Sequence, residues 1–398
     1  MTRTERLKEI IKHGYENAPA LRRLMDEAGV RPADIQSVAD LPKIPVTSKD
    51  KLIQMQQENP PFGGWLAAPK KELQHIFVSP GPLFEPDDEW QPEAFQAVGI
   101  DSGDIVINAF AYHMVSAGLL IDAAVRAAGA TVVPMGPGNT EAQVDIMLRL
   151  GVTGYTGTPS FLKIIFQKAE EMNIDPQDIP LKKAVFSAEP YPPSLRTFFE
   201  QDYKMITSQA YATADLGIIA YDRPGEAALR LAQNMIVEIT DPATGQPVPA
   251  GEPGEIVVTT FNKTYPLVRY GLGDLSAFVG EPDDEGFYPR IKGWLGRVGD
   301  AVKVRGMFLH PLQLKGALAK FEGLGNFQAS VTRPDAARDH VKLRVELKDA
   351  AVASPTLGDA VKAAASQACR LTIDEVEFVE AGAIEPSARA VVDERRWE

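Results

Sequence analysis

Strand-like and helix-like segments alternate through the middle of the sequence, and this alternation is the feature that most limits the possible folds. From Asp104 the segments read as strand, helix, strand and helix, in the order DIVINAF, VSAGLLIDAAVRAAGA, TVVPM and TEAQVDIMLRLG. GYTGTPS then opens a further amphipathic helix that continues to residue 173. Strands that alternate with helices of this length predict an α/β fold with a mostly parallel, doubly wound sheet.

The character of the sequence changes twice after this region. LKKAVFSAE and PPSLRTFFEQ continue the alternation, whereas NMIVEITDPATGQPVPAGEPGEIVVTTF reads as strands joined by a DPATG turn. Beyond GWLGRVGDAVKVRG come a helix, a strand pair around VKLRVEL, a second helix at 356–369 and a strand at DEVEFVE. We therefore predict a large N-terminal domain at 1–298, with a β-rich subdomain over about residues 230–298, and a small, mobile α+β domain at 299–398.

The first 60 residues read as short helices joined by the proline-rich segment DLPKIPVTSKDKL. Within that segment, the hydroxyl of either Thr47 or Ser48 could cap the helix that follows. This region precedes the alternating segments, and we interpret it as an N-terminal extension of the large domain.

Composition excludes several classes of protein. The 398 residues carry 41 Lys plus Arg against 54 Asp plus Glu, and a net charge of -13 without a long basic run argues against a nucleic-acid partner. The single cysteine, Cys369, excludes a disulfide framework within one chain and fits a reducing cytoplasm. The charged N-terminus lacks an apolar signal core, and Asp122 and Arg126 interrupt the longest apolar region, so we expect no membrane span.

Several motifs resemble, in order, those of phenylacetate–coenzyme A ligases and their relatives, the coenzyme F390 synthetases. They are YENAPALRRLMDEAGVRPADI, DLPKIPVTSKDKL, GATVVPMGPGNTEAQVDIM, GTPSFL, FSAEPYPPSLR, DPATGQPVPAGEPGEIVVTTF, PLVRYGLGDL and GRVGDAVKVRGMFLHP. The resemblance implies that a carboxylic acid reacts with ATP and Mg²⁺ to form acyl-AMP and pyrophosphate, and that coenzyme A then displaces AMP to give a thioester. The expected partners are these small molecules, and a homodimer stays open.

The segment SQAYATAD resembles the aromatic motif of the family. The resemblance implies that Gln209 meets the adenine edge, that Tyr211 covers its face and that Asp215 binds magnesium. A carboxylate suits magnesium, but Asp is one methylene shorter than the usual Glu of the family, and Ala214 replaces a hydroxyl residue.

The segments RYGLGDL and GRVGD resemble the ribose-binding and linker motifs of the family. In these, Asp274 would accept hydrogen bonds from both ribose hydroxyls, and Arg297 would contact ribose and phosphate. Gly299 occupies the position of a charged hinge residue, and we expect it to be the pivot of the C-terminal domain.

Two further groups of residues are candidates for binding the adenine and the acid. In FSAEP, the residues that resemble the adenine-side loop of the family are Ser187, Ala188 and Glu189. Aromatic residues and glycine make a flat slot for a ring, so the predicted acid pocket contains Phe110, Tyr112, Tyr155 and Gly157.

Two elements depart from the pattern of the family. Where a phosphate loop rich in Ser, Thr and Gly is expected, the chain reads SPGPLFEP, which keeps Ser79 and Gly81 but adds prolines without an N–H and an acidic residue. Near the C-terminus, Ser387 stands at the position of the catalytic lysine, with Arg389 nearby. Because a neutral hydroxyl cannot balance the α-phosphate, we expect weakened adenylation unless Arg389 or another cation takes over.

Three functions remain open from the sequence. The first is an acid–coenzyme A ligase that uses aryl or similar carboxylates. The second is a non-catalytic homologue that binds AMP or acyl-CoA. The third is adenylyl transfer of the F390 synthetase type, which uses the same ATP chemistry without coenzyme A.

Overall fold

A computed structural model describes residues 1–79, 83–87, 91–300, 302–305, 307–333, 339–348, 353–369 and 371–395. The chain divides into two compact units. The first comprises Met1–Leu272 and Ala277–Gly293, and the second comprises Gly273–Ser276 and Trp294–Glu398.

The helices of the described residues are α1 (Arg3–Asn17), α2 (Pro19–Glu27), α3 (Lys49–Glu58), α4 (Glu93–Ala97), α5 (Ala117–Ala127), α6 (Thr140–Leu150), α7 (Pro159–Glu171), α8 (Pro193–Thr197), α9 (Pro311–Leu318) and α10 (Pro355–Cys369). The strands are β1 (Thr47–Ser48), β2 (Ile76–Ser79), β3 (Leu83–Pro86), β4 (Ile105–Asn108), β5 (Thr131–Val133), β6 (Gly154–Gly157), β7 (Lys183–Phe186), β8 (Ile206–Thr213), β9 (Gly217–Tyr221), β10 (Leu229–Leu231), β11 (Met235–Thr240), β12 (Gly254–Thr260), β13 (Tyr270–Ser276), β14 (Arg290–Ile291), β15 (Val302–Val304), β16 (Met307–Leu309), β17 (Leu324–Thr332), β18 (His340–Leu347), β19 (Glu375–Glu380) and β20 (Val391–Asp393). None of these helices is both long enough and apolar enough to cross a membrane.

An eight-stranded sheet forms the centre of the first unit, in the order β14-β10-β9-β8-β7-β6-β4-β5. The five strands from β8 to β5 are parallel neighbours, as the alternating sequence predicts. Adjacent residues of β4 face opposite sides: Ile107 packs in the cluster that contains α6 and α7, whereas Val106 packs with α5. Both faces are therefore covered, which confirms the doubly wound α/β fold.

A second sheet of the first unit has the order β1-β13-β12-β11. β11 and β12 form the predicted antiparallel hairpin, and Asp241 stabilises its turn by accepting a hydrogen bond from the Ala243 N–H at 2.8 Å. β1 comes from the N-terminal segment and pairs in parallel with β13. The N-terminal segment is thus part of this sheet, and Ser48 caps α3 by accepting from the Lys51 N–H at 3.2 Å.

The second unit contains a four-stranded sheet in the order β19-β18-β17-β20. Helices α9 and α10 cover it, and the shared core contains Leu314, Val345 and Val361. This is the α+β arrangement that the sequence predicts for the C-terminal region.

Candidate active site

Four parallel strands end at one edge of the central sheet of the first unit. Because β4, β6, β7 and β8 run in the same direction, their carboxyl ends meet there. The segments that leave this edge are 109–116, Thr158, 187–191 and the turn 214–216. Ligands of doubly wound folds bind at this edge, so it is the candidate active site of this unit.

The segment after β7 has a constrained backbone. Ser187 is buried and donates from its hydroxyl to the Ala210 carbonyl of β8 at 2.9 Å. Ala188 has a φ of 70°, in the left-handed region that a residue with a Cβ rarely adopts. Glu189 accepts from the Ser160 N–H, at the start of α7, at 2.6 Å. The predicted adenine-side loop is therefore fixed at both ends, as a preformed binding loop requires.

β8 carries the two residues predicted to contact adenine. Gln209 and Tyr211 are both half-buried. The Gln209 N–H donates to Asp222 at 2.6 Å and its carbonyl accepts from the Asp222 N–H at 3.0 Å, so its backbone is held between β7 and β9. Tyr211 lies opposite Ala220, beside a register shift in the β8–β9 pairing.

Asp215 lies in the turn between β8 and β9, and its side chain is only 5% exposed. Lys49, the first residue of α3, has its ammonium nitrogen 3.3 Å from each carboxylate oxygen. Tyr270 donates to Oδ2 at 3.3 Å, and the Ser79 hydroxyl lies 3.5 Å from Oδ1. We call these residues, together with Glu85, the Asp215 cluster.

Glu85 is the second carboxyl group of the Asp215 cluster. Its Oε1 accepts from the Ser79 hydroxyl at 2.8 Å, whereas its Oε2 is buried and receives no hydrogen bond from the described residues. Burial, followed by the hydrogen bond to Asp215 and the charge of that carboxylate, raises the pKa of Glu85 to about 9. Glu85 therefore keeps its proton at pH values at which an exposed glutamate is ionised.

The predicted phosphate-loop segment forms a hairpin. β2 and β3 pair antiparallel with Ser79 opposite Leu83, and Gly81 lies outside the described residues. This hairpin carries Glu85 to Asp215. The acidic residue that departs from the family pattern is therefore a hydrogen-bonded member of the candidate site.

The surroundings of Asp215 do not fit the magnesium site that the resemblance implies. Magnesium needs accessible carboxylate oxygens and several waters. Here, Lys49 is already within 3.3 Å of both oxygens, and Tyr270, Ser79 and Glu85 surround the same carboxylate. Within the described ranges, no three residues among His, Cys, Asp and Glu form a group that could hold a metal ion.

The segment after β4 holds part of the predicted acid pocket. Phe110 donates its N–H to Asn108 at 3.0 Å. The Tyr112 hydroxyl accepts from the Asn108 amide at 2.8 Å and donates to Asp122 at 3.1 Å. Burial and the charge of Asp122 raise the pKa of Tyr112 above its usual range, so this hydroxyl stays protonated.

Tyr155 and Gly157 lie on β6. Tyr155 is fully buried in the core and donates to the Thr158 carbonyl at 3.2 Å. A Cβ at Gly157 would meet the Tyr155 hydroxyl at 2.3 Å, so only glycine fits beside this ring. Tyr155 therefore packs in the core next to the carboxyl end of β6, and its role in lining an acid pocket stays a prediction.

In the second unit, Asp274 and Arg297 face each other across an isolated antiparallel bridge. The Arg297 Nε lies 3.5 Å from Asp274 Oδ1. The indole N–H of Trp294 donates to the same oxygen at 3.1 Å. Trp294 is 44% exposed, so an aromatic surface lies beside the predicted ribose-binding carboxylate.

Gly299 lies in the short 3-10 turn Val298–Asp300 and does not have a left-handed φ. Its role as the pivot of the C-terminal domain stays a prediction. The glycine with a left-handed φ in this linker is Gly296, at 119°, and a Cβ there would meet the His310 ring at 1.8 Å.

Ser387 and Arg389 are exposed residues of the segment before β20. Ser387 lies in a turn that the Ala388 N–H closes by donating to the Glu385 carbonyl at 2.9 Å. The Arg389 carbonyl accepts from the Gln328 side chain at 3.1 Å, which fixes its backbone beside β17. The roles of Ser387 and Arg389 in adenylation stay predictions.

Three residues of these sites escaped the sequence reasoning: Lys49, Tyr270 and Trp294. Lys49 and Asp215 are 166 positions apart, and Tyr270 is 55 positions from Asp215, so only the fold brings them together. A signal was present for Lys49 in the TSKDKL segment and for Tyr270 in RYGLGDL, because both belong to segments that resemble the family.

The first unit also contains a cavity of about 930 Å³. Its lining includes Leu119 and Arg126 of α5, and Phe261 and Lys263 after β12. None of the site residues predicted from the sequence and described in the structure lines this cavity.

Comparison with known proteins shows the family of the chain. Residues 92–262 match the model of a family described as AMP-binding enzyme. The phenylacetate-coenzyme A ligases of Aromatoleum evansii and Escherichia coli (strain K12) are each 30% identical to this chain. Those alignments cover 86% and 88% of this chain, and 80% and 82% of the two relatives.

Solved structures show the same fold. An open conformation of 2-hydroxyisobutyryl-CoA ligase in complex with 2-HIB-AMP and CoA matches with a TM-score of 0.86 and 24% identity, over 98% of this chain and 90% of that chain. The same ligase in the thioesterification state matches with a TM-score of 0.67 and 25% identity, over 98% and 89%.

The curated relatives and the AMP-binding match place the chain in the class of adenylate-forming enzymes. Within that class, the chain belongs to the phenylacetate–coenzyme A ligase family. The resemblance inferred from the motifs is confirmed.

Proposed function

We propose that this chain is an ATP-dependent acid–coenzyme A ligase that activates an aryl or similar carboxylate as acyl-AMP and transfers it to coenzyme A. Family membership supports the reaction class. The observation that carries the proposal is the convergence of the fixed 187–189 loop, Tyr211 and Asp215 at one edge of a doubly wound sheet.

Each described group has a role in this chemistry. The 187–189 loop and Tyr211 would bind the adenine, with the aromatic ring providing a stacking surface. Phe110 and Tyr112 would contact the acid, because both belong to the segment that leaves the carboxyl end of β4. The names of the curated relatives favour phenylacetate as the first acid to test.

The test is pyrophosphate release from ATP across a panel of carboxylic acids, with and without coenzyme A. A ligase releases pyrophosphate only with its acid and forms an acyl-CoA when coenzyme A is added. Release without any acyl-CoA, but with an adenylylated phenol, would instead indicate chemistry of the F390 synthetase type.

The second candidate is a non-catalytic protein that binds AMP or acyl-CoA. Two observations favour it: Glu85 occupies the segment of the phosphate loop, and Ser387 stands at the lysine position. Tight AMP binding without pyrophosphate release for any acid would support this second function.

We expect Asp274→Ala to weaken AMP binding at least about tenfold, because hydrogen bonds to a charged group contribute about 1.5–3 kcal/mol. Calorimetry measures the affinity, and Asp359→Ala, at an exposed position of α10, is the matched control. Unchanged AMP affinity in Asp274→Ala would remove this residue from the nucleotide site.

We also propose that the chain functions as two domains, 1–298 and 299–398, and that residues after Gly299 move as a rigid cap between the half-reactions. Gly299→Pro should slow at least one half-reaction by restricting the backbone. Gly299→Ala should be nearly neutral, because no atom lies within 4 Å of the added Cβ. Equal kinetics of the proline and alanine variants in both steps would contradict the hinge.

A further inference from the structure

Lys49 is held at Asp215 by its position in the fold. β1 pairs with β13 so that Thr47 lies opposite Tyr270 and Ser48 lies opposite Gly271. Lys49 follows directly as the first residue of α3, whose cap is Ser48. The same sheet contact thus places both Lys49 and Tyr270 against the Asp215 carboxylate.

Glu85 is held from the other side. Gln56 of α3 is buried, and it donates to the Phe84 carbonyl at 2.9 Å and accepts from the Phe84 N–H at 2.8 Å. This pair of hydrogen bonds fixes β3 one residue before Glu85. Helix α3 therefore supports both the cation at Asp215 and the neighbouring carboxyl group.

The arrangement leaves Asp215 with a balanced charge. The Lys49 ammonium lies at equal distances from the two oxygens, and hydroxyl groups of Tyr270 and Ser79 surround the same carboxylate. A divalent ion could bind this carboxylate only if the Lys49 ammonium group moved away from its oxygens. The two cations would still be close together, and their repulsion would oppose binding. Lys49 already provides the positive charge that a metal ion would supply to this carboxylate.

We propose that Lys49 is a built-in cation at Asp215, so that this chain binds an adenylate with no divalent ion bound to that carboxylate. The proposal rests on the proposed nucleotide site for its ligand, but the state of Asp215 can be measured without any nucleotide. Lys49 is a positioning residue, which holds the Asp215 carboxylate in place and balances its charge.

The direct experiment is a titration of the full-length chain with Mn²⁺, in which electron paramagnetic resonance reports the free ion. Wild type should bind no Mn²⁺ at Asp215. Lys49→Ala should bind Mn²⁺ at least about tenfold more tightly than wild type, because the variant leaves a buried carboxylate whose charge no cation balances. Lys51→Ala, an exposed lysine two residues along α3, is the matched control and should behave as wild type.

Two further variants test whether the Mn²⁺ gained by Lys49→Ala binds at Asp215. Lys49→Ala combined with Asp215→Ala should lose the gained Mn²⁺ binding, and Lys49→Arg, which keeps the charge, should not gain it. The proposal is overturned if wild type binds Mn²⁺ as tightly as Lys49→Ala and Asp215→Ala abolishes that binding. It is equally overturned if Lys49→Ala folds, by circular dichroism, but gains no Mn²⁺ binding.

The affinity of wild type for AMP provides an independent test. AMP should bind with the same affinity in magnesium and in EDTA, and a loss of about tenfold or more in EDTA would contradict the proposal. If AMP binds under neither condition, the proposed function fails, while the Mn²⁺ titration still decides the role of Lys49.

Discussion

The Ser387→Lys variant is expected to form acyl-AMP about ten- to a thousand-fold faster than wild type, by analogy with the loss of a single preorganised charge contact. The α-phosphate gains negative charge as the carboxylate attacks, and a cation in a poorly hydrated site stabilises that state strongly. Ser387 cannot provide this charge. Its exposed turn leaves room for a longer side chain without disturbing the core of the second unit.

The same variant should leave thioester formation from supplied acyl-AMP nearly unchanged, because that step starts from an activated carbonyl and expels AMP. Rapid-quench kinetics of each half-reaction measure the two rates separately. Gln367→Lys, at an exposed position of α10 outside the motif, controls for added charge. Equal acceleration of both steps would show that Ser387 does not mark an adenylation-specific defect. If neither rate changes and Arg389→Ala abolishes adenylation, Arg389 is the working cation.

Glu85→Gln is expected to stabilise the fold, and to do so increasingly as the pH rises. Glutamine reproduces the hydrogen bonds of a protonated glutamic acid, since its amide can donate to Asp215 and its carbonyl can accept from Ser79. Burial raises the pKa of Glu85 to about 9 in the folded chain, whereas the pKa in the unfolded chain is near the ordinary value of 4.5. Between these values the unfolded state binds fewer protons, so the free energy of unfolding of wild type falls as the pH rises.

The advantage of Glu85→Gln should therefore grow by about 1.4 kcal/mol for each pH unit inside that window. Denaturant unfolding at pH 5.5 and pH 8 measures this difference, which we expect to reach about 3 kcal/mol. Glu27→Gln, at the exposed end of α2, should show no such trend. A Glu85→Gln effect that is equal at both pH values would mean that Glu85 is ionised in the folded chain.

Sequence periodicity predicted the central sheet because its signal is local. β4, α5, β5 and α6 each follow from the spacing of apolar residues within one segment, and the structure contains them in that order. The cap of α3 at Ser48 was likewise legible, since an N-cap depends on residues only a few positions apart. The pairing of β1 with β13 could not be predicted from the sequence, because it joins distant parts of the chain.

The candidate site shows the same division. Family motifs indicated Asp215 and Asp274, but not the partners of these carboxylates. Lys49 reaches Asp215 only through the fold, and Trp294 reaches Asp274 across a non-local backbone bridge. The sequence also indicated an acidic residue in the phosphate-loop segment, and it could not reveal that burial raises the pKa of this residue, Glu85.

We infer that this chain keeps the ligase chemistry of its family while its adenylation step is weakened. The most direct measurement compares the two half-reactions of wild type in single turnovers. One reaction starts from ATP and phenylacetate, and the other starts from synthetic phenylacetyl-AMP and coenzyme A. We expect thioester formation to be at least about a hundredfold faster than acyl-AMP formation, since only the first step depends on the altered phosphate-handling elements. No thioester from the supplied acyl-AMP, with AMP still bound tightly, would contradict the claim and identify the chain as a nucleotide-binding protein without ligase activity.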